Sequence, residues 1–119
     1  MNSITLCGRV ADNAQMVLVK TRAGEKPLVT FPVLDTGLPY QQSEPMLVEV
    51  HFMHEAAPHI YEYLVKGKPV EVFGFLRRKD YVTQSAQERT KYYISADYVG
   101  FPPKDGKEKP EEEGSWKRA

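Results

Sequence analysis

Residues 55–65 carry a helical pattern in a chain that otherwise alternates, and the place of that helix constrains the fold more than any other feature. Ala57, Ile60, Tyr61 and Leu64 recur at i, i+3, i+4 and i+7, one apolar stripe of a short amphipathic helix. Pro58 falls in the first turn, where its missing N–H is tolerated, and Gly67 is a natural stop. Ahead of the helix, residues 3–10, 15–21, 27–35 and 46–53 read as strands with a period of two. Ile4, Leu6 and Val10 face inward in the first of these, and Val29, Phe31 and Val33 share one face in the third. In the fourth, Val48, Val50 and Phe52 face inward while Leu47, Glu49, His51 and Met53 face outward. Gly8 marks a bulge or tight bend, and Pro32 an edge or a bulge. Residues 22–26 read as a turn around Gly24, and the breaker-rich residues 36–45 as a loop.

Beyond the helix, residues 68–77 set Val70, Val72, Gly74 and Leu76 on one face, and residues 91–100 form a last aromatic strand. A polar hairpin tip, residues 79–90, joins them. With residues 3–10 and 15–21 taken as one broken first strand, the order is three strands, a helix and two strands. That order predicts an all-β chain with one helix, an OB-fold: a five-stranded Greek-key barrel with a helix between strands 3 and 4. A generic α+β sandwich shares the element count, so the helix position discriminates.

A length of 119 residues suits one domain. Residues 1–101 are expected to form it. Residues 102–119, with leading prolines, a charge run and little apolar content, are expected to be a disordered tail. Cys7 is the single cysteine, which excludes an intramolecular disulfide and a Cys-rich metal site and fits a reducing compartment. It is expected to be a small packed residue. The three histidines lack a completing ligand set, so no metal is expected. Neither a membrane span nor a signal-peptide pattern is present, which points to the cytoplasm. Phosphate-binding glycine loops are missing and the carboxylates are scattered, so neither an enzyme nor a cofactor is expected. Sixteen basic and sixteen acidic side chains cancel, so contact with a polyanion requires a local patch.

One such patch stands out. Arg77, Arg78, Lys79, Tyr81, Arg89 and Lys91 interleave cations with an aromatic on the long hairpin. Cations that follow phosphates and rings that stack on unpaired bases suit single-stranded nucleic acid. Lys20, Arg22 and Lys26 surround the first hairpin turn, a loop that lines the binding face of OB-folds. His51 adds a candidate contact on the outer strand face. Phe73 and Phe75 face away from the core, which suggests a buried oligomer interface.

Residues 2–10 (NSITLCGRV), 63–77 (YLVKGKPVEVFGFLR), 81–89 and 93–101 (YISADYVGF) together resemble the bacterial-type single-stranded DNA-binding proteins over residues 1–101. The primosomal replication proteins are a similar branch. The resemblance implies binding of single-stranded DNA without strong sequence preference, in replication, repair or transfer. It also implies homodimers or homotetramers built through this sheet and the first strand. By the resemblance, Tyr81 stands where the family has a stacking Trp, Leu47 at a second Trp, Met53 at a Phe and Glu49 at an Arg, with Tyr40 near a third Trp. Two stacking positions are therefore aliphatic or thioether here, and Glu49 brings a negative charge to the binding face. The family's acidic tip with a terminal Phe is replaced by residues 114–119 (GSWKRA), which implies a divergent, accessory or mobile-element member. These departures keep open an alternative from another class: a protein-interaction scaffold of a replication or conjugation complex with weak or no DNA binding.

Overall fold

The computed structural model describes residues 1–35 and 44–102. Tyr40 and residues 103–119 lie outside them. Six strands, β1 (Ile4–Val10), β2 (Gln15–Thr21), β3 (Gly24–Asp35), β4 (Met46–Phe52), β5 (Pro69–Val82) and β6 (Glu88–Gly100), accompany one helix, α1 (Ala57–Tyr61). The sheet runs β1-β5-β6-β4-β3-β2 and closes where β1 returns to pair with β3. All pairings are antiparallel except β4 with β6. β1 and β2 are the two halves of one interrupted strand, so the closed barrel is the expected five-stranded OB-fold, with α1 between its third and fourth strands.

The break in the first strand has a local cause. The β2–β3 ladder ends at Gln15↔Thr30, and β1 takes over at Val10↔Val33. Pro32 sits in the gap. Its carbonyl accepts the Ala11 N–H at 2.8 Å, so its nitrogen faces the same gap. In an antiparallel ladder both backbone groups of a residue point to one side, so the missing N–H removes no bond to β4. Gly8 lies at the same crossing: a Cβ there would strike the Leu34 carbonyl. Gly74 sits at a register shift between Phe73 and Gly74, and a Cβ there would collide with the Ser95 carbonyl.

Val29, Phe31, Val33, Val50, Val70, Val72 and Ile94 fill the barrel at 1% exposure or less, and Ala57 and Leu64 close one end at 0%. Burying a side chain such as Leu64 stabilises the fold by about 1.5–3 kcal/mol. α1 spans only residues 57–61, shorter than the expected 55–65. Leu64 reaches the core from the turns that follow, which close on Gly67 at φ +91°.

Two further expectations need correction. The long hairpin has no wide tip over residues 79–90: its ladder runs to Val82↔Glu88. Only residues 83–87 turn, held by Thr83 and Gln87 backbone bonding and by Ala86 at φ +64°. Cys7 is exposed rather than packed, because alternation turns Leu6 inward and sets Cys7 beside Glu71 on the outer surface.

Candidate nucleic-acid interface

Strand alternation sorts the candidate residues onto two faces. Directly opposed residues of an antiparallel pair share a face. On one face of the β5–β6 ribbon, Arg77 opposes Tyr93, Lys79 opposes Lys91 and Tyr81 opposes Arg89. On the other, Arg78 opposes Tyr92, Asp80 opposes Thr90 and Val82 opposes Glu88. The first face continues onto the barrel's outer surface, since Tyr93 neighbours Glu49, Ser95 neighbours His51, and His51 pairs with Thr30 of β3. The structure therefore brings Arg77, Lys79, Tyr81, Arg89, Lys91, Tyr93 and His51 onto one continuous surface and sets Arg78 behind it.

The two faces also differ in how their charges are used. Arg78 donates to both oxygens of Asp80, at 3.0 and 3.3 Å, and Thr90 donates to the same carboxylate at 2.7 Å. Those hydrogen bonds, from Thr90 first and then Arg78, hold the Asp80 carboxyl below its usual range. Asp80 in turn raises the Arg78 guanidinium. Arg77 and Lys79 have no acidic partner among the described residues. Arg89 donates to the neutral Gln87 side chain at 2.7 Å. Tyr81 is 41% exposed, an available stacking ring.

Glu49 is not a bare negative charge on this surface. His51 Nε2 bonds its Oε2, and Lys91 Nζ donates to its two oxygens at 3.2 and 3.4 Å. Partial burial pushes the Glu49 carboxyl up, but the bonds from His51 and Lys91 outweigh it and hold the group below its ordinary value. The His51 ring also stacks on Tyr93, with centroids 4.1 Å apart. His51 and Lys91 are thus both held to Glu49 on the sheet.

At the first hairpin, Lys20 opposes Glu25 and Arg22 lies in the turn. Lys26 opposes Val19, two residues from Leu28 on the face that leads to Thr30 and His51. Lys26 lines a groove of about 440 Å³ together with Met53. Alternation counted back from Thr30 is the signal that separates Lys26 from Lys20, and it needs the strand register. Tyr92 is the aromatic that sequence reasoning missed. It is 58% exposed where β6 passes the barrel mouth. Phe73 and Phe75 are 41% and 39% exposed on the outer surface, with Tyr98 directly opposite Phe73.

Among the described residues, no group of three or more His, Cys, Asp or Glu side chains is placed to hold a metal ion, and no helix is long and apolar enough to cross a membrane. The model of the single-strand binding protein family matches residues 1–102. Among solved structures, the chain is similar to one described as a Plasmodium falciparum SSB complex with ssDNA. The two are 22% identical, the match covers 84% of this chain and 91% of that one, and the TM-score is 0.65. At that identity the likeness speaks for the fold. No curated protein sequence matches this one. A family model that spans the whole barrel, on a chain whose strands close as an OB-fold, settles the assignment: this chain belongs to the single-strand binding protein family.

Proposed function

We propose that this protein binds single-stranded DNA along the outer face of β3 and β4 and the outward face of the β5–β6 ribbon. The observation that carries this reading is the alignment of Arg77, Lys79, Tyr81 and Arg89 on one side of the ribbon, continuous with the barrel surface. Arg77, Lys79 and Arg89 neutralise phosphates and release counterions, and Tyr81 stacks on a base. Lys26, Arg22 and Met53 guide the strand at the other end. Backbone contacts and stacking are sequence-tolerant, so the track as a whole has no strong sequence preference. Such a protein keeps a strand unpaired during replication, repair or transfer. Members of this family are DNA-binding proteins, not enzymes, and the reading calls for no cofactor.

The scaffold alternative draws on Leu47, Glu49 and Met53 on the outer face and on the neutral overall charge. The pairing of Glu49 with His51 and Lys91 answers only the charge at Glu49. Self-association through Phe73, Phe75 and Tyr98 belongs to the same proposal, since three exposed rings on one sheet surface suit cover by a second copy. The single, exposed Cys7 supports a reducing cytoplasm as the setting.

The direct test is fluorescence anisotropy with a labelled thymidine strand of about 35 nucleotides, long enough to span several OB-fold sites. It is run at low and moderate salt beside the matching duplex. Tight, salt-sensitive binding to the single strand alone supports the reading. Failure to bind at micromolar protein overturns it in favour of the scaffold.

A further inference from the structure

The groove that Lys26 shares with Met53 has two walls. Thr21, Lys26 and Pro27 of the first hairpin form one, and Met53, His54 and Glu55, just past the end of β4, form the other. Lys26 stands on the face that leads to Thr30 and His51, so the groove lies at the end of the outer surface described above.

Three contacts fix His54 in its wall. The Ala56 N–H donates to its Nδ1 at 2.9 Å, and the Ala57 N–H donates to its carbonyl at 3.0 Å. Its ring stacks on Phe52, with centroids 5.4 Å apart and planes 6° from parallel. A ring nitrogen that accepts a hydrogen bond carries no proton, so the imidazole proton is on Nε2. That N–H has no partner among the described residues, and His54 is exposed. It is a donor held in place before any ligand arrives.

The rest of the lining narrows what it donates to. The Thr21 hydroxyl already donates to the Gly24 carbonyl at 2.6 Å and accepts the Ala23 N–H at 3.2 Å. Met53 and Pro27 offer apolar surface, and the charges of Lys26 and Glu55 cancel. An apolar floor with one neutral donor at its edge and no net charge suits a nucleobase better than a phosphate. All four bases carry a carbonyl oxygen or a ring nitrogen that accepts. One donor therefore serves any of them, which fits a track without strong sequence preference.

Resting on the DNA-binding reading above, we propose that His54 is a DNA-binding residue: it donates its Nε2–H to the edge of a base that lies on Met53 and Pro27. The backbone bond to Nδ1 serves to aim that donor. Lys26, at the opposite wall, takes the adjoining phosphate.

The test uses two variants that separate the two nitrogens. His54→Asn keeps an oxygen able to accept the Ala56 N–H, since Asn side chains bond the backbone two residues on, but its amide ends short of the Nε2 position. His54→Gln reaches that position with a donor and gives up the Nδ1 acceptor. Both are titrated by anisotropy against a labelled thymidine strand of about 35 nucleotides at mildly alkaline pH, at several salt concentrations. His54→Asn is expected to melt like the wild type and to bind about three- to tenfold more weakly, the loss of one hydrogen bond. Its salt slope is unchanged, because a neutral donor displaces no counterion. His54→Gln binds within about twofold of the wild type. On a strand of abasic sugar-phosphates at low salt, the wild type and His54→Asn bind alike. Wild-type affinity in His54→Asn overturns the role of His54 and leaves the DNA-binding reading standing. Equal weakness in the Asn and Gln variants overturns the donor. A deficit of His54→Asn that persists on the abasic strand overturns the base as its partner. A wild type that fails to bind the thymidine strand overturns both readings.

Discussion

Arg77 and Arg78 are neighbours in sequence and opposites in the structure. Arg77 stands on the outward face of the β5–β6 ribbon with no acidic partner among the described residues, facing Tyr93 across the ladder. Arg78 stands on the reverse face, bonded twice to Asp80, whose carboxylate also takes the Thr90 hydroxyl. One guanidinium is available to a phosphate and the other already has its counter-charge. A basic run in a β-ribbon is therefore two half-patches, and the availability of each is decided by what lies two residues away on its own face.

The largest test of this contrast removes the outward face. Tyr81→Ala combined with Arg77→Ala is expected to weaken single-strand binding at least tenfold, and up to about 100-fold, from the loss of a stacking platform and a phosphate contact. Anisotropy titration of the folded double variant measures it, and unchanged affinity would sink the site assignment. Next in size is Lys79→Ala. Losing one phosphate contact lowers the slope of log affinity against log salt by about 0.7, read from titrations at several salt concentrations. Arg78→Ala, on the reverse face, is expected to change affinity by less than about twofold, since its charge is already paired. An effect as large as that of Arg77→Ala would break the two-face picture.

The smallest effect concerns stability in acid. Glu49 has its carboxyl held below the ordinary value, so its pairing stabilises the fold above the unfolded-state pKa, near 4.5, and that contribution is lost as pH falls through the folded value. The Glu49 side chain is 38% exposed and that of Lys91 36%, so solvent screens their pairing. Lowering the pH through that window should cost the wild type about 1–4 °C of melting temperature beyond what Glu49→Gln loses. Thermal melts of both proteins across the window decide it. Equal acid sensitivity would show that the His51 and Lys91 bonds contribute nothing to folding.

Much of the fold was legible in the residues. Alternation in 46–53 placed Val50 and Phe52 inside and Glu49 and His51 outside, as observed. The stripe of Ala57, Ile60, Tyr61 and Leu64 found the helix between the right strands, although only one turn of it is helical. The full length of the long hairpin's ladder is not legible in the sequence, because its outer residues are polar on both faces. Past the barrel rim the ribbon is solvated on both sides, so the apolar alternation that marks a half-buried strand fades while cross-strand pairing continues. Cys7 runs against the general tendency of cysteine to be buried, because its parity in β1 puts it outside. Of the candidate contacts, Arg77, Lys79, Tyr81 and Arg89 could be named from sequence, and Tyr40 lies outside the described residues.

What the sequence determined by itself is the set of faces. Successive Cβ atoms in a strand point to opposite sides whatever lies around them, so core and surface positions follow from order along the chain. What only the tertiary structure decided is which charges meet. Glu49 and Lys91 are 42 residues apart, and they touch because β4 and β6 run parallel with Glu49 beside Tyr93. That register is set by barrel closure, a property of distant strands packing on one core. The carboxylate that looked like an obstacle to DNA is, for that reason, already held by a histidine and a lysine.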